Sequence, residues 1–140
     1  MDKQIDTVLF RNEIKENGFE ATMKKYGGAN RKQAVKEFLD SMLVKYDLGV
    51  GDVKKRADMT SYINNIFNGT RDTVDRDKLI RIAIGFPLTL EETDALLECG
   101  GCAGLHSSKR DLIITDALLQ KYDITKTNLY LDENNEELIK

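Results

Sequence analysis

The 140-residue sequence has no tryptophan, one proline, one histidine and two cysteines. With one proline and only short runs of β-branched residues, it is predicted to be all-α. Two cysteines do not make the disulfide framework of a small secreted domain. No apolar run approaches the about 20 residues that cross a bilayer, and the polar N-terminus lacks a signal-peptide core. We therefore expect no membrane association and a cytoplasmic location.

The residue patterns that catalysis needs are also scarce. With a single histidine, general acid–base chemistry would have to run on carboxylates. The acidic residues that neighbour one another lie at loop and helix-start positions, where capping and the helix dipole favour them. The sequence has neither a Gly-rich phosphate loop after a strand nor a Gly-x-Ser-x-Gly motif. A non-enzymatic protein without a cofactor is expected.

Cys99-Gly100-Gly101-Cys102, followed by His106, invites a redox or zinc interpretation. A reactive Cys-x-x-Cys motif has its first thiol at a helix N-terminus, whereas Cys99 is predicted at the end of a helix. A structural zinc site takes four ligands, and the sequence holds only three Cys and His residues. The pattern favours a glycine C-cap beside packing cysteines over a redox or metal site.

The chain reads as a run of helices with short polar joints, forming one compact bundle. We assign residues 1–30 to an N-terminal helical extension with helices near 7–16 and 19–26, residues 31–98 to a central bundle, and residues 99–140 to a C-terminal helical extension. Capping-box patterns begin at Asn30, Thr89 and Ser108, and a last helix begins near Thr125. The clearest apolar stripe, followed by the leucines available for burial near the end, comprises Val35, Phe38, Leu39, Met42, Leu43, Tyr46, Leu129, Leu131 and Leu138.

Residues 50–84 are predicted to form two short helices with a tight turn between them, then a third amphipathic helix. The inward-facing positions have helical spacing and are Val53, Ala57, Ile63, Ile66, Phe67, Leu79, Ile82 and Ala83. The opposite side of the second helix carries four short uncharged polar residues, Ser61, Asn64, Asn65 and Asn68. Because an amide presents a donor and an acceptor together to a base edge, this face suits the DNA major groove.

The segment SYINNIFNG at 61–69 resembles the recognition helix and closing turn of phage-repressor-like (XRE-type) helix-turn-helix proteins. Residues 71–79, 88–101 and 109–114 are similar to the loop, the following helix and the C-terminal extension of a bacterial subgroup of that family. The resemblance covers roughly residues 33–138. It implies a transcriptional repressor that binds double-stranded DNA sequence-specifically, as a homodimer formed through the terminal additions. The family usually has glycine and then an apolar residue in the turn, where this chain has Ala57-Asp58-Met59.

The resemblance assigns contacts with bases or the adjoining backbone to residues of the second helix and its approach: Thr60, Ser61, Asn64, Asn68 and, more weakly, Asn65. Seven cations flank this face: Lys54, Lys55, Arg56, Arg71, Arg76, Lys78 and Arg81. As a set they favour phosphate contacts, with a salt-bridged surface as the alternative. Lys54, Lys55 and Arg71 are the cations that we expect to hold phosphates.

The charge distribution keeps a second function open. The net charge is −3, and residues 83–140 hold five Lys and Arg against eleven Asp and Glu, while residues 49–82 hold seven against five. DNA-binding domains more often carry an obvious basic surface. A protein-interaction adaptor that retains the helix-turn-helix as a scaffold, and binds a protein through its acidic C-terminal half, is therefore the alternative to a DNA regulator.

Overall fold

The computed structural model describes residues 31–60, 62–70 and 74–140, and these residues contain α-helices and no strand. The predicted all-α fold is confirmed. The helices predicted within residues 1–30, the Asn30 cap, and the site residues Ser61 and Arg71 lie outside the described residues. The described helices are α1 (Arg31–Tyr46), α2 (Val50–Arg56), α3 (Tyr62–Phe67), α4 (Arg76–Gly85), α5 (Leu90–Cys99), α6 (Lys109–Gln120) and α7 (Ile124–Glu133).

A single apolar core runs through the described helices. The predicted stripe of α1 is buried at Val35, Phe38, Leu39 and Met42, and α1 packs against α3 and α5. Residues of α6, α7 and the segment after α7 belong to the same core cluster: Ile113, Ile114, Leu118, Ile124, Leu131 and Ile139. The C-terminal helices therefore share one core with the preceding bundle, since their apolar faces are covered by it.

A close approach between α2 and α4 positions α2 and the turn that follows it. Ala57 is fully buried, as predicted, and lies against Gly85. A Cβ atom at Gly85 would come within 3.1 Å of both the Ala57 Cβ and the Val53 carbonyl oxygen. Because glycine has no Cβ, the backbones of α2 and α4 can approach this closely, which sets the angle at which α2 leads into the turn.

Two of the predicted caps are present, and they differ in detail. The Thr89 hydroxyl accepts a hydrogen bond from the Glu92 N–H (3.1 Å), and the Glu92 carboxylate accepts one from the Thr89 N–H (2.9 Å). This capping box is confirmed. At α6 the Ser108 hydroxyl accepts from the Asp111 N–H (3.2 Å), whereas the Asp111 carboxylate accepts hydrogen bonds from other partners, described below.

The last apolar residues differ from the prediction. Leu131 is buried, but Leu129 is 57% exposed and Leu138 is 42% exposed. Leu129 lies two positions before Leu131 on α7, which begins at Ile124, so the two side chains point to different sides of the helix. Ile139, next to Leu138, is buried in its place. Among the described residues, none of the helices is long and apolar enough to cross a membrane.

Candidate nucleic-acid interface

The helix α3 has one apolar and one polar face. Ile63, Ile66 and Phe67 are buried, as predicted, while Asn64 and Asn65 are exposed. The Phe67 ring stacks on the ring of Phe86, with 6.3 Å between the ring centroids. The three buried side chains hold α3 against the core, and the side chains of Asn64 and Asn65 remain exposed to solvent.

The turn between α2 and α3 forms without a glycine. Asp58 takes the left-handed conformation (φ 52°), which Asp and Asn adopt more readily than most residues. The Asp58 N–H donates to the Lys55 carbonyl (3.2 Å), and the Met59 N–H donates to the Lys54 carbonyl (3.0 Å). These two bonds form a Schellman motif, with Met59 packed against the core. The apolar residue Met59 therefore follows the left-handed residue directly.

Arg81 on α4 stabilises the same turn from behind. Its Nε donates to the Ala57 carbonyl (2.7 Å) and its Nη2 donates to the Asp58 carbonyl (3.2 Å). The side chain is 15% exposed. The Ala57 carbonyl, at the C-cap of α2, is one that the helix leaves without an intrahelical partner, and the Asp58 carbonyl belongs to the turn. Arg81, which we predicted from the sequence to be one of the phosphate-contacting cations, thus caps the end of α2 and orients the turn.

A second arginine in that group, Arg76, joins three parts of the fold. Its guanidinium forms a bidentate ion pair with Asp111 at 2.7 and 3.2 Å and donates to the carbonyls of Ala103 and Gly104 at 2.9 Å each. Burial raises the pKa of Asp111. The hydrogen bonds from Arg76 and from the His106 N–H lower it by more, so the net pKa lies below its ordinary value. Arg76 and Asp111 fasten α6 to the start of α4.

The closing turn of α3 engages Asn68. The Asn68 side-chain oxygen accepts hydrogen bonds from the Thr70 N–H (3.1 Å) and the Thr70 hydroxyl (2.7 Å). Gly69 follows in the left-handed conformation (φ 75°), where a glycine avoids the strain that a Cβ would cause. Because its acceptor already serves the turn, Asn68 keeps only its amide N–H groups for an outside ligand. Asn64 and Asn65 are therefore the better placed of the three amides.

The other predicted contact residues lie at the edges of α2 and α3. Thr60 is exposed two positions before the start of α3 at Tyr62, Lys54 is partly exposed and Lys55 is exposed on α2. Lys55 lines an open groove with Asp52 and Asp58. The groove runs between α2, the end of α4 and the turn that precedes α7. Its lining also includes Arg56 and Lys121, so both carboxylates and cations line it. The structure brings Thr60, Asn64, Asn65 and Asn68 onto one short helix and its flanks.

Glu92 is a buried charged residue. The sequence predicted only its role in the capping box of α5. Its carboxylate accepts hydrogen bonds from Lys45 Nζ and the Tyr46 hydroxyl, both on α1. Burial raises the pKa of Glu92, but the bonds from Lys45, Thr89 and Tyr46 outweigh burial, so the net pKa is lowered. Burial and the same contact raise the pKa of Tyr46. Since Lys45 and Tyr46 lie more than forty residues away in sequence, local spacing carries no signal for this pairing.

The two cysteines lie where α5 ends. Cys99 is the last residue of α5, Gly100 follows as its C-cap, and Gly101 is left-handed with φ 72°. Burial raises the pKa of the Cys102 thiol, which disfavours the reactive thiolate. In the part of the chain that the structure describes, no group of three or more His, Cys, Asp and Glu side chains is placed to hold a metal ion. This geometry is that of a glycine-capped helix end.

No family model, curated protein or solved structure matches this chain.

Proposed function

We propose that the chain is a sequence-specific, double-stranded DNA-binding transcriptional regulator of the XRE helix-turn-helix type, and that it acts without catalysis. The observation that carries the proposal is the geometry of α2, the turn and α3. Asp58 supplies the left-handed residue that the turn requires, and Asn64 and Asn65 are exposed on a helix anchored by Ile63, Ile66 and Phe67. Its biological role would be that of a cytoplasmic repressor, as in the bacterial subgroup of XRE-type proteins that the sequence resembles.

In the proposed complex Asn64 makes a bidentate contact to adenine, with Thr60, Ser61, Asn65 and the free amide of Asn68 beside it. Asn64→Ala is then expected to weaken binding to the specific duplex by about 1–3 kcal/mol and to leave binding to other duplexes unchanged. Gln120→Ala, which removes an exposed amide at the end of α6, is the matched control. The probe is a duplex enriched from a random library by the wild-type protein, compared with a scrambled duplex by gel shift.

The phosphate contacts are proposed for Lys54, Lys55 and Arg71. Lys55→Ala is expected to weaken all duplexes alike and to lower the slope of log affinity against log salt by about one unit. Lys126→Ala on α7 removes the same charge from an exposed position and serves as the control. If no duplex is enriched or retained even at low salt, or if Asn64→Ala weakens both duplexes equally, the base-reading role is wrong.

We further propose a two-fold homodimer, which reads half-sites about 34–36 Å apart. The exposed face of α6 supports this assembly. Leu112 and Leu119 are 54% and 62% exposed, and residues seven apart lie on one side of a helix, so they form an apolar stripe that a partner can cover. Light scattering is expected to give the dimer mass, and Leu119→Lys the monomer mass. A wild-type protein that stays monomeric at high concentration, with and without DNA, would refute the dimer.

A protein adaptor is the second candidate, and the same face of α6 favours it. The exposed leucines belong to the acidic C-terminal part of the chain. Residues 83–140 contain eleven Asp and Glu and five Lys and Arg. Loss of DNA retention, together with a monomer whose Leu112 and Leu119 remain exposed, would favour a partner protein that covers this face. The two candidates thus separate in the gel-shift and light-scattering experiments already described.

A further inference from the structure

The residues that follow α7 are held in a groove of their own. Segment 137–140 has no regular secondary structure and lies against side chains of α4, α6 and α7. We call the set that contacts it the tail groove: Asp77, Lys78, Arg81, Arg110 and Asn128. The contacts of this groove with the segment define what it recognises.

Two arginines bind carbonyl groups along the segment. Arg110 Nε donates to the Glu137 carbonyl (2.9 Å) and its Nη2 donates to the Leu138 carbonyl (3.1 Å). Arg81 Nη1 donates to the Ile139 carbonyl (2.9 Å). Each of these bonds reaches main-chain atoms, which are the same for any residue at those positions.

Asn128 and Asp77 contact the remaining main-chain groups. The Asn128 oxygen accepts from the Ile139 N–H (2.8 Å), and its Nδ2 donates to the Ile139 carbonyl (3.3 Å). Asp77 Oδ2 accepts from the Lys140 N–H (3.2 Å). An amide that binds both the N–H and the carbonyl of one residue recognises an unpaired, non-helical backbone.

Side-chain selection rests on one position. Ile139 is 2% exposed and belongs to the core cluster, whereas Leu138 is 42% exposed and Glu137 and Lys140 point to solvent. The tail groove thus reads the backbone of four residues and the aliphatic side chain of one.

The groove residues have partners besides the segment. Arg110 forms a bidentate ion pair with Asp77 at 3.0 and 3.2 Å, and Arg81 binds the carbonyls of Ala57 and Asp58. Because these bonds hold both guanidinium groups in place, the groove keeps its donors when the segment leaves. Cations outnumber carboxylates in the set, which favours an acidic ligand.

The segment can leave by a rotation at one turn. α7 ends at Glu133, and Asn135 is left-handed with φ 61°. Residues 134–136 therefore connect the helix to the segment, and a change in the backbone angles of Asn135 swings the segment out without unwinding α7.

We propose that the tail groove is a peptide-binding site for an extended, net acidic segment of a partner protein that places an aliphatic side chain where Ile139 lies. Segment 137–140 is its intramolecular competitor. The proposal does not rest on DNA binding. Since a tethered segment acts at an effective concentration of about millimolar, the intact chain is expected to bind such a peptide poorly.

The test uses a chain that ends at Glu136 and a fluorescein-labelled peptide, NNEELIK, that corresponds to residues 134–140. We expect the shortened chain to bind the peptide by fluorescence anisotropy and the intact chain to bind it at least tenfold more weakly. Asn128→Ala in the shortened chain should weaken binding at least fivefold, Gln120→Ala should leave it unchanged, and an alanine at the Ile139 position of the peptide should abolish it. A shortened chain that keeps its helical circular dichroism but binds no peptide overturns the proposal.

Should the shortened chain not fold, hydrogen exchange in the intact chain decides. The amides of Ile139 and Lys140 are hydrogen-bonded, so their exchange reports release of the segment. We expect their protection factors to lie at least tenfold below those of α4. Equal protection would show that the segment opens only with the whole fold, and the proposal would be wrong.

Discussion

Phe67→Ala tests whether the end of α3 is anchored in the core. The Phe67 side chain is 5% exposed and stacks on Phe86, and truncation of a buried phenylalanine costs about 3–5 kcal/mol. A chain of 140 residues has an unfolding entropy of about 0.3 kcal/mol/K near its melting temperature. The melting temperature is therefore expected to fall by about 10–17 °C.

Thermal and urea unfolding monitored by circular dichroism at 222 nm measure this loss. Asn65→Ala is the control, because Asn65 is exposed on the same helix and an exposed Asn→Ala change stays within about 0.5 kcal/mol. An unchanged urea m-value would show that the variant unfolds from the same compact state. A Phe67→Ala shift no larger than that of the control would refute the assignment of Phe67 to the core.

Two further predictions concern the turn and the buried carboxylates. Asp58→Gly is expected to stabilise the fold by up to about 1 kcal/mol, because glycine removes the Cβ strain at φ 52°, while the branched Asp58→Val should destabilise it; urea midpoints that rank the two variants the other way would contradict the turn geometry. The pKa values of Glu92 and Asp111 are lowered in the folded protein. The contribution of these two carboxylates to the free energy of unfolding is therefore fully present above their unfolded pKa values of about 4.3 and 3.9, and it is lost as the pH falls through their folded pKa values. Glu92→Gln should reduce this acid dependence between pH 2 and 5 in urea unfolding, and an unaltered dependence would count against the assigned ionised state.

Patterns within a few residues predicted much of the fold. The stripe of α1, the inward faces of α2 and α3 and the Thr89–Glu92 cap were predicted correctly, because helical spacing and capping involve residues at most four positions apart. The exposed faces that define the candidate site followed from the same periodicity. The turn between α2 and α3 was predicted in place, but the left-handed conformation of Asp58 was not.

The roles of the charged residues depended on tertiary structure. Arg76 and Arg81 were grouped with the phosphate contacts, yet they bind Asp111 and backbone carbonyls 23–35 residues away. A guanidinium has the same appearance in sequence whether it faces solvent, a phosphate or a helix end, and only folding decides which acceptor comes within reach.

The end of the chain shows the same division. The composition and helical spacing of this sequence determined an all-α protein and the inward stripe of each well-patterned helix, because those properties arise from neighbouring residues. The burial of Ile139 and the contacts of Asn128 and Arg110 with segment 137–140 were decided by the tertiary structure alone. They arise where α4, α6 and the end of the chain meet, and no local periodicity relates residues that are brought together only by packing.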